Sequence, residues 1–257
     1  MTKKSIQIRD VSFAYDEHKI YEGFSVDIEN NDIFFFMGIN GCGKTTLLKL
    51  VNALLTPQSG DIFVNGKRIK KYDSKSLARV MAYVPQIIHL NSDFLVKDYL
   101  ALGRTPYKNF YSSLSLDDYK IVEKYSKELG IENLLDTDFN SLSGGQKQNV
   151  AICRALVQET SIIVLDEPMS ALDMGKQADF LALILRLQAA GKTIVLTSHN
   201  PNHVLAIKDK CRVCLLDDGK ILGLGRYQDV LSEANIDRIY GDKVVVDKDN
   251  KVIMFNV

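Results

Sequence analysis

Hydrophobic and polar positions alternate in the N-terminal part of the chain. Residues 5–13 and 23–28 place apolar side chains largely at every second position. Such alternation predicts strands with one buried face. Residues 61–64 predict a third strand, and Asn65 and Gly66 after it are typical of a hairpin turn. We therefore expect a small antiparallel sheet in this part of the chain.

Three other apolar runs are continuous rather than alternating. They are residues 33–37, 162–165 and 193–197, and each is short and rich in branched or aromatic side chains. Strands that are covered on both faces require this pattern, as in a parallel sheet. The three runs therefore indicate an α/β fold with a parallel sheet at its centre.

Polar side chains follow each continuous run directly. Gly38 follows the first run, Asp166 and Glu167 follow the second, and Ser198 and His199 follow the third. Ligands of open α/β sheets bind beyond the carboxyl ends of the strands. We therefore expect the three strand ends to meet at one site.

Helical spacing of apolar residues occupies much of the remaining chain. Residues 96–103, 116–129 and about 143–158 show this spacing between the first two continuous runs. Residues 173–190 show it after the second run, and Gly191 is a suitable helix stop. These segments predict helices that alternate with the strands of the parallel sheet.

The order of the elements predicts one domain with an insertion. We expect an α/β core of residues 1–87 and 158–240, interrupted by a helical insert at about 88–157. A C-terminal hairpin is expected at about 241–257. All 257 residues would then form a single domain.

Composition and charge exclude several classes of function. The chain has 46% hydrophobic and 25% charged residues, with 32 basic and 32 acidic side chains. This balance offers no basic footprint for nucleic acid, so no nucleic-acid partner is expected. No apolar run approaches the roughly 20 residues that span a bilayer. Any work at a membrane would therefore need another chain to supply the spanning helices.

The four cysteines are too few and too scattered for a disulfide framework. Cys211 and Cys214 have the C-x-x-C spacing of redox and zinc sites, but no second such pair accompanies them. Two buried strand residues are the favoured interpretation, with reduced thiols throughout the chain.

Residues 38–45 read G-I-N-G-C-G-K-T and fit a phosphate-binding P-loop between a strand and a helix. Its glycines let backbone N–H groups turn toward an anion. Lys44 would reach the β- and γ-phosphates, and Thr45 would offer its hydroxyl to Mg²⁺. A glycine-rich turn without a ligand is the alternative, which the strand–loop–helix context disfavours. The expected nucleotide-binding residues here are Gly38, Asn40, Gly41, Cys42, Gly43, Lys44, Thr45 and Thr46.

Cys42 lies within this loop and is a candidate for inactivation by thiol reagents. The start of the following helix could lower the pKa of its thiol, which we take as a hypothesis. If ATP did not suppress the labelling of Cys42 by such reagents, the expected position of Cys42 under the phosphates would be contradicted.

Asp166 ends an apolar strand, where a carboxylate commonly orders Mg²⁺. Glu167 is the candidate to polarise the attacking water. The alternative for an isolated pair of this kind is a solvated strand end. His199 is expected to contact the γ-phosphate or that water, completing a catalytic set with Glu167 and Lys44. His203 is expected on a helix surface.

Residues 142–146 read L-S-G-G-Q, which a simple P-loop enzyme does not need. Together with the other two motifs, this segment resembles the signature of ABC transporter ATP-binding subunits. The resemblance covers nearly the whole chain and implies an ABC ATPase with a P-loop NTPase core, a small antiparallel β subdomain and an inserted helical subdomain. It also implies that the helix start at Ser143, Gly144, Gly145 and Gln146 binds ATP held by a second copy, in a head-to-tail homodimer.

Further roles follow only from this resemblance. Tyr15 would stack on adenine, although a surface aromatic is the alternative for that residue alone. Gln86 would sense Mg²⁺ and the membrane partner. The loop that crosses the dimer would contain Ser170, Ala171, Leu172 and Asp173.

Two strings resemble a narrower group, the importers of ferric siderophores, haem or cobalamin. They are G-R-T-P-Y at 103–107 and T-S-H-N-P-N-H at 197–203. This resemblance implies ATP and Mg²⁺ as ligands, polytopic permease subunits as partners and, indirectly, an extracytoplasmic binding protein. The chain would then lie peripherally at the cytoplasmic face of the membrane.

Alternative functions remain from other classes. An exporter or lipid-system ATPase would differ little in sequence, and only the string at 103–107 argues against it. A soluble ABC ATPase of DNA repair or translation typically carries coiled coils or two ATPase domains, and this sequence has neither heptads nor a second P-loop. A binding module without catalysis is disfavoured by the intact Lys44, Glu167 and His199 set.

Overall fold

The computed structural model describes residues 3–88, 93–109, 113–241, 244–247 and 252–255. Its strands are β1 (Lys4–Tyr15), β2 (His18–Glu29), β3 (Ile33–Met37), β4 (Ser59–Val64), β5 (Lys67–Arg68), β6 (Met81–Val84), β7 (Ile162–Leu165), β8 (Thr193–Ser198), β9 (Arg212–Asp217), β10 (Lys220–Gly225), β11 (Val244–Asp247) and β12 (Val252–Phe255). Its α-helices are α1 (Lys44–Val51), α2 (Ser74–Ala78), α3 (Val96–Ala101), α4 (Leu116–Glu128), α5 (Gly144–Val157), α6 (Met174–Ala189), α7 (Asn202–Ile207), α8 (Tyr227–Val230) and α9 (Glu233–Tyr240). Short 3₁₀ segments lie at Ile69–Lys71, Leu102–Tyr107, Glu132–Leu134, Phe139–Ser141 and Lys208–Lys210.

The central sheet has six strands in the order β10-β9-β3-β8-β7-β6. All neighbouring pairs are parallel except β10 with β9, which is antiparallel. The three continuous apolar runs form β3, β8 and β7, which are adjacent, so their prediction as parallel strands is confirmed. Phe34, Phe35 and Phe36 of β3 are fully buried because helices and a second sheet cover the two faces of this strand.

The register of these strands brings their polar ends together. Met37 pairs with Ser198, and Leu165 pairs with Leu196. Gly38, Asp166 and Ser198 therefore lie at the same edge of the sheet. The predicted convergence of three strand ends is confirmed.

The small antiparallel sheet is also confirmed, with the order β2-β1-β4-β5. Asn65 and Gly66 have φ values of 49° and 78°, as the predicted hairpin turn requires. Strands β1 and β2 are longer than their alternation predicts, because backbone pairing continues to Tyr15 and His18. The alternation of apolar and polar side chains does not reveal this pairing, because both faces of the two strands are exposed at their paired ends.

Helices α3, α4 and α5 form a hydrophobic cluster of their own. Ser115 caps α4 through a reciprocal capping box with Asp118. Helix α3 ends at Ala101, earlier than predicted, and the chain continues as a 3₁₀ segment through Tyr107. The cluster is centred on buried residues Val96, Tyr99, Leu100, Val122, Phe139, Val150 and Val157.

The C-terminal part adds two short helices and a hairpin. Strands β11 and β12 pair antiparallel, with Val244 opposite Phe255, so the predicted hairpin is confirmed. Cys211 and Cys214 are free and buried; Cys214 lies within β9 and Cys211 just before it. Across the described ranges, none of the helices has the length and apolar character needed to cross a bilayer.

Candidate ATP-hydrolysis site

The P-loop leads from the end of β3 into helix α1. Gly43 is the N-cap of this helix, has φ 104° and offers no side chain to the first N–H groups. A Cβ atom at this position would lie 2.7 Å from the hydroxyl of Tyr21, so glycine is required by both space and backbone conformation. The start of α1 can therefore direct backbone N–H donors and a positive dipole end at an anion.

Lys44 is buried beneath this loop, with 5% of its surface exposed. Its Nζ donates to the carbonyl oxygens of Gly38 at 2.8 Å and Ile39 at 2.9 Å. The same Nζ lies 3.5 Å from Oε1 of Glu167. The ammonium group is thus held between the loop and a buried carboxylate, where it can neutralise a phosphate.

Glu167 contacts two cationic or polarisable groups at once. Its Oε1 faces Lys44, and its Oε2 lies 2.6 Å from Nδ1 of His199. Because a carboxylate only accepts hydrogen bonds, Nδ1 of His199 carries the proton and Nε2 is left to face outward. Glu167 is 7% exposed, whereas the side chain of His199 is 49% exposed, so the pair leads from the interior to the surface.

The backbone of Glu167 is in a strained conformation. Its φ is 47°, in the left-handed region that glutamate rarely adopts. Its N–H donates to Oγ1 of Thr197 at 2.7 Å, which anchors the turn to strand β8. The turn directs the side chain of Glu167 back toward Lys44.

Asp166 lies at the end of β7 and is 1% exposed. Its Oδ1 accepts a hydrogen bond from Oγ1 of Thr197 at 2.7 Å. Within the described part of the chain its Oδ2 is buried and has no hydrogen-bond partner. Burial raises the pKa of Asp166, and hydrogen bonds from Thr197 and Thr45 oppose that rise. A buried carboxylate oxygen without a donor is a natural cation ligand.

A cavity of about 370 Å³ collects most of the predicted residues. The P-loop and α1 form one wall, with Gln86 and Glu167 on the other side. Its lining residues are Ile20, Asn40, Gly41, Gly43, Lys44, Thr45, Thr46, Gln86 and Glu167. Its volume is in the range of small-molecule sites.

Gly38 and Cys42 belong to the loop but lie below this cavity. A Cβ at Gly38 would lie 2.4 Å from the carbonyl oxygen of Leu216 and 2.7 Å from Sγ of Cys42. Cys42 itself is 5% exposed. Both residues therefore shape the backbone of the loop and do not form the wall of the cavity.

Two predicted groups lie outside the cavity. Tyr15 is 41% exposed at the end of β1, and its ring meets Phe13 edge-on at 4.9 Å between centroids. Ser143 caps helix α5 in a capping box with Gln146, and Ser143 and Gly144 are exposed. Gly145 lies beside the 170–173 loop, since a Cβ there would lie 3.4 Å from the carbonyl oxygen of Ala171.

Two expectations from the sequence are wrong. His203 does not lie on a helix surface: it is 8% exposed and faces Ser198 and Gln177. The spacing of four residues between His199 and His203 does not indicate that His203 is buried. It is buried because the short helix α7 turns its side chain toward α6. Burial raises the pKa of the Cys42 thiol, so the hypothesis of a lowered pKa fails, although Lys44 acts in the lowering direction.

Several residues of the site escaped the sequence analysis. Thr197 joins Asp166 to the backbone of Glu167, and Ile20 of β2 lines the cavity. The hydroxyl of Tyr240 donates to the carbonyl oxygen of His199 at 2.7 Å. The position of Thr197 near the end of a converging strand could have indicated that it belongs to the site. No sequence pattern around Ile20 or Tyr240 gives a comparable indication.

The sequence is similar to known ATP-binding subunits. The family profile described as ABC transporter matches residues 21–170. The ferric enterobactin transport ATP-binding protein FepC of Escherichia coli (strain K12) is 32% identical over 249 residues, 96% of this chain and 91% of that protein. The petrobactin import ATP-binding protein YclP of Bacillus subtilis (strain 168) is 32% identical over 236 residues, 91% of this chain and 92% of that protein.

The fold is similar to solved structures as well. One match is a chain of an ABC transporter in an inward-facing conformation, provisionally classed as metal-chelate type. Its TM-score is 0.81 at 28% identity, covering 99% of this chain and 97% of that chain. Sequence and fold similarity therefore both extend over nearly the full length.

Proposed function

Because the chain belongs to the ABC transporter family as an ATP-binding, ATP-hydrolysing subunit, we propose that it powers an importer of ferric siderophores or related metal chelates. The contact of Glu167 with both Lys44 and His199 supports the hydrolytic part of this proposal. The names of FepC and YclP, which refer to ferric enterobactin and petrobactin, support the cargo class. Haem and cobalamin are the other cargoes that the G-R-T-P-Y string at 103–107 allows.

The residues around Glu167 can carry out hydrolysis in a simple order. Lys44 and the N–H groups at the start of α1 hold the phosphates. The strained backbone of Glu167 places its carboxylate beside the phosphate site. There the carboxylate takes a proton from the water that attacks the phosphate. His199 donates from Nδ1 to Glu167, and its Nε2 accepts from the water or, where that nitrogen also carries a proton, donates to the γ-phosphate.

The donor set fits Mg²⁺ as well. Asp166 offers a buried oxygen, Thr45 offers a hydroxyl, and Gln86 lines the same cavity with an amide oxygen. Mg²⁺ prefers oxygen ligands, and when bound it neutralises charge on the phosphates. Asp166, Thr45 and Gln86 are thus the residues that would hold it.

The second anion-binding helix start requires a second molecule. Residues 143–146 do not line the cavity around Lys44, and Gly145 lies beside the 170–173 loop. We therefore propose a head-to-tail homodimer in which Ser143, Gly144, Gly145 and Gln146 of one protomer meet ATP held by the other. Tyr15, exposed at the end of β1, would stack on the adenine ring.

The remaining partners follow from the importer proposal. Polytopic permease subunits would supply the membrane passage, and an extracytoplasmic binding protein would deliver the cargo. The chain would then lie peripherally at the cytoplasmic face of the membrane. Its balance of 32 basic and 32 acidic residues supports the absence of a nucleic-acid partner.

Growth on defined sources of iron or of cobalamin tests this function. A strain carrying Lys44→Ala should lose growth on one ferric siderophore, haem or cobalamin, because the ammonium group that holds the phosphates is absent. Lys49→Ala, on the same helix, is the matched control and should grow normally. Normal uptake of every chelate in the Lys44→Ala strain, together with intracellular accumulation of another compound, would instead favour an exporter.

A further inference from the structure

His203 lies between two polar groups in the interior. Its Nδ1 is 2.9 Å from Oγ of Ser198, and its Nε2 is 3.2 Å from Oε1 of Gln177. The imidazole is 8% exposed, and burial, with a smaller contribution from nearby His199, lowers its pKa to about 4. The ring is therefore neutral near pH 7, with one nitrogen donating and the other accepting.

Gln177 determines which nitrogen donates. Its side-chain N–H groups donate to the carbonyl oxygens of Met169 at 3.2 Å and Leu172 at 3.0 Å. Those two acceptors fix the orientation of the amide, so its Oε1 must accept from His203. The proton of His203 consequently lies on Nε2, and Nδ1 accepts from the hydroxyl of Ser198.

These contacts join two parts of the site that are separate in sequence. Ser198 ends β8 directly before His199. Met169 and Leu172 flank Ser170 and lie in the loop beside Gly145. A continuous series of hydrogen bonds thus runs from Ser198, the last residue of β8, through His203 and Gln177 to the 170–173 loop.

We propose that His203 and Gln177 are positioning residues that keep the 170–173 loop aligned with the end of β8, so that the position of His199 and that of the loop change together. This inference rests on the proposed ATPase function. Neither residue lines the cavity around Lys44, so both act on turnover and not on ATP affinity. Together with Glu167, Ser198 and His199 they line a separate small cavity of about 100 Å³.

Single and double variants test the connection through ATPase kinetics. His203→Leu and Gln177→Leu should each lower kcat by roughly ten- to hundredfold, as small misplacements at active sites do, with KM for ATP nearly unchanged. The double variant should be no slower than the slower single variant, because either change breaks the same series of contacts. Gln188→Leu, which changes a half-buried glutamine on the same helix that donates to the carbonyl oxygen of Asn31, should keep wild-type kcat.

Two conservative variants separate positioning from packing. His203→Gln keeps an N–H donor near the position of Nε2 and should recover much of kcat. Gln177→Glu keeps the acceptor for His203 but loses both donors to the loop, so it should be as slow as Gln177→Leu. Wild-type kcat in folded His203→Leu or Gln177→Leu, or effects that multiply in the double variant, would overturn the proposal.

Two measurements need no hydrolysis and therefore separate this proposal from the function itself. Nitrogen-15 NMR at pH 7 should show His203 protonated at Nε2 only. Hydrogen exchange at the amide of Leu172 should be faster in Gln177→Leu than in Gln188→Leu, as a loosened loop requires. If the wild type lacked ATPase activity, the proposed function would fail. If instead the other tautomer were found or the exchange were unchanged, only the positioning role would fail.

Discussion

Glu167 and His199 lie at the ends of two neighbouring parallel strands and are joined by a 2.6 Å contact between Oε2 and Nδ1. The second oxygen of Glu167 lies 3.5 Å from Nζ of Lys44. These two contacts orient the buried carboxylate, which is the group that must accept a proton from water. The geometry therefore favours Glu167 as the base and gives the other two residues a supporting role.

Replacing Glu167 with glutamine should separate binding from turnover. Glu167→Gln has nearly the same shape but cannot accept the proton, so kcat should fall by about 10²–10⁴-fold. ATP binding, measured by equilibrium titration, should stay within a few-fold of wild type. Glu123→Gln changes an exposed glutamate on α4 and is the control. Wild-type turnover in Glu167→Gln would rule out the assigned role.

Thr197 should matter for both stability and turnover. Thr197→Val removes the acceptor of the Glu167 N–H and the donor to Asp166, leaving buried polar groups unpaired. We expect a loss of about 1–3 kcal/mol in the free energy of unfolding, together with slower ATP hydrolysis. Thr193→Val, at the other end of the same strand, should destabilise the fold while sparing kcat. Equal kinetic effects of the two variants would show that the effect is only structural.

Cys42 should react slowly with alkylating reagents in the native protein. Burial raises the pKa of its thiol, so less of the reactive thiolate is present at pH 8 than in the unfolded chain. Peptide-resolved mass spectrometry after iodoacetamide treatment should show labelling that increases with pH and is suppressed further by ATP. Rapid labelling at neutral pH, or labelling that ATP leaves unchanged, would contradict the position of Cys42 beneath the loop.

The G-R-T-P-Y segment should stabilise the packing of α4 against the end of α5 within the helical cluster. Arg104 lies 3.3 Å from Asp118 and donates to the carbonyl oxygen of Val157, and Lys108 also pairs with Asp118. Burial alone would raise the pKa of Asp118, but hydrogen bonds from Lys108, Ser115 and Arg104 lower it well below its usual range. The folded protein therefore binds this proton less readily than the unfolded chain does.

Because the pKa of Asp118 is lowered in the folded protein, its contribution to the free energy of unfolding decreases at acidic pH. The stabilisation by Asp118 is complete above the ordinary carboxyl pKa of about 4 and is lost as pH falls below it. At pH 7, Asp118→Asn should reduce the free energy of unfolding by about 3 kcal/mol, since it removes the carboxylate that pairs with both Arg104 and Lys108, while Arg104 keeps its pairing with Glu159. Denaturant titrations should show this difference shrinking toward pH 2. Asp117→Asn, at an exposed position, should change stability by less than about 1 kcal/mol.

The homodimer is testable by size-exclusion chromatography. Glu167→Gln with ATP should elute as a dimer, because slow hydrolysis preserves the state in which the second helix start meets the nucleotide. Adding Ser143→Ala, which also removes the cap of α5, should weaken that dimer. Ser141→Ala, two residues earlier and exposed, is the matched control. A strictly monomeric Glu167→Gln protein at saturating ATP, even with its permease, would contradict the shared site.

The sequence predicts those parts of the site that depend on local pattern. Continuous apolar runs identify β3, β7 and β8, the polar residues at strand ends identify Asp166 and Glu167, and the P-loop pattern identifies Lys44. Contacts between distant segments leave no such pattern. The burial of His203 against α6 and the contact of Tyr240 with His199 arise from tertiary packing. The pKa of Cys42 likewise depends on burial. The rise that burial causes outweighs any lowering by the helix start, which is the only influence that the sequence shows.

The hydroxyl of Tyr240, at the last residue of α9, holds the carbonyl oxygen of His199 at 2.7 Å. A truncated protein that stops before α9 would keep every residue lining the phosphate cavity but lose this restraint. Such a protein should still bind nucleotide, while His199 becomes more mobile.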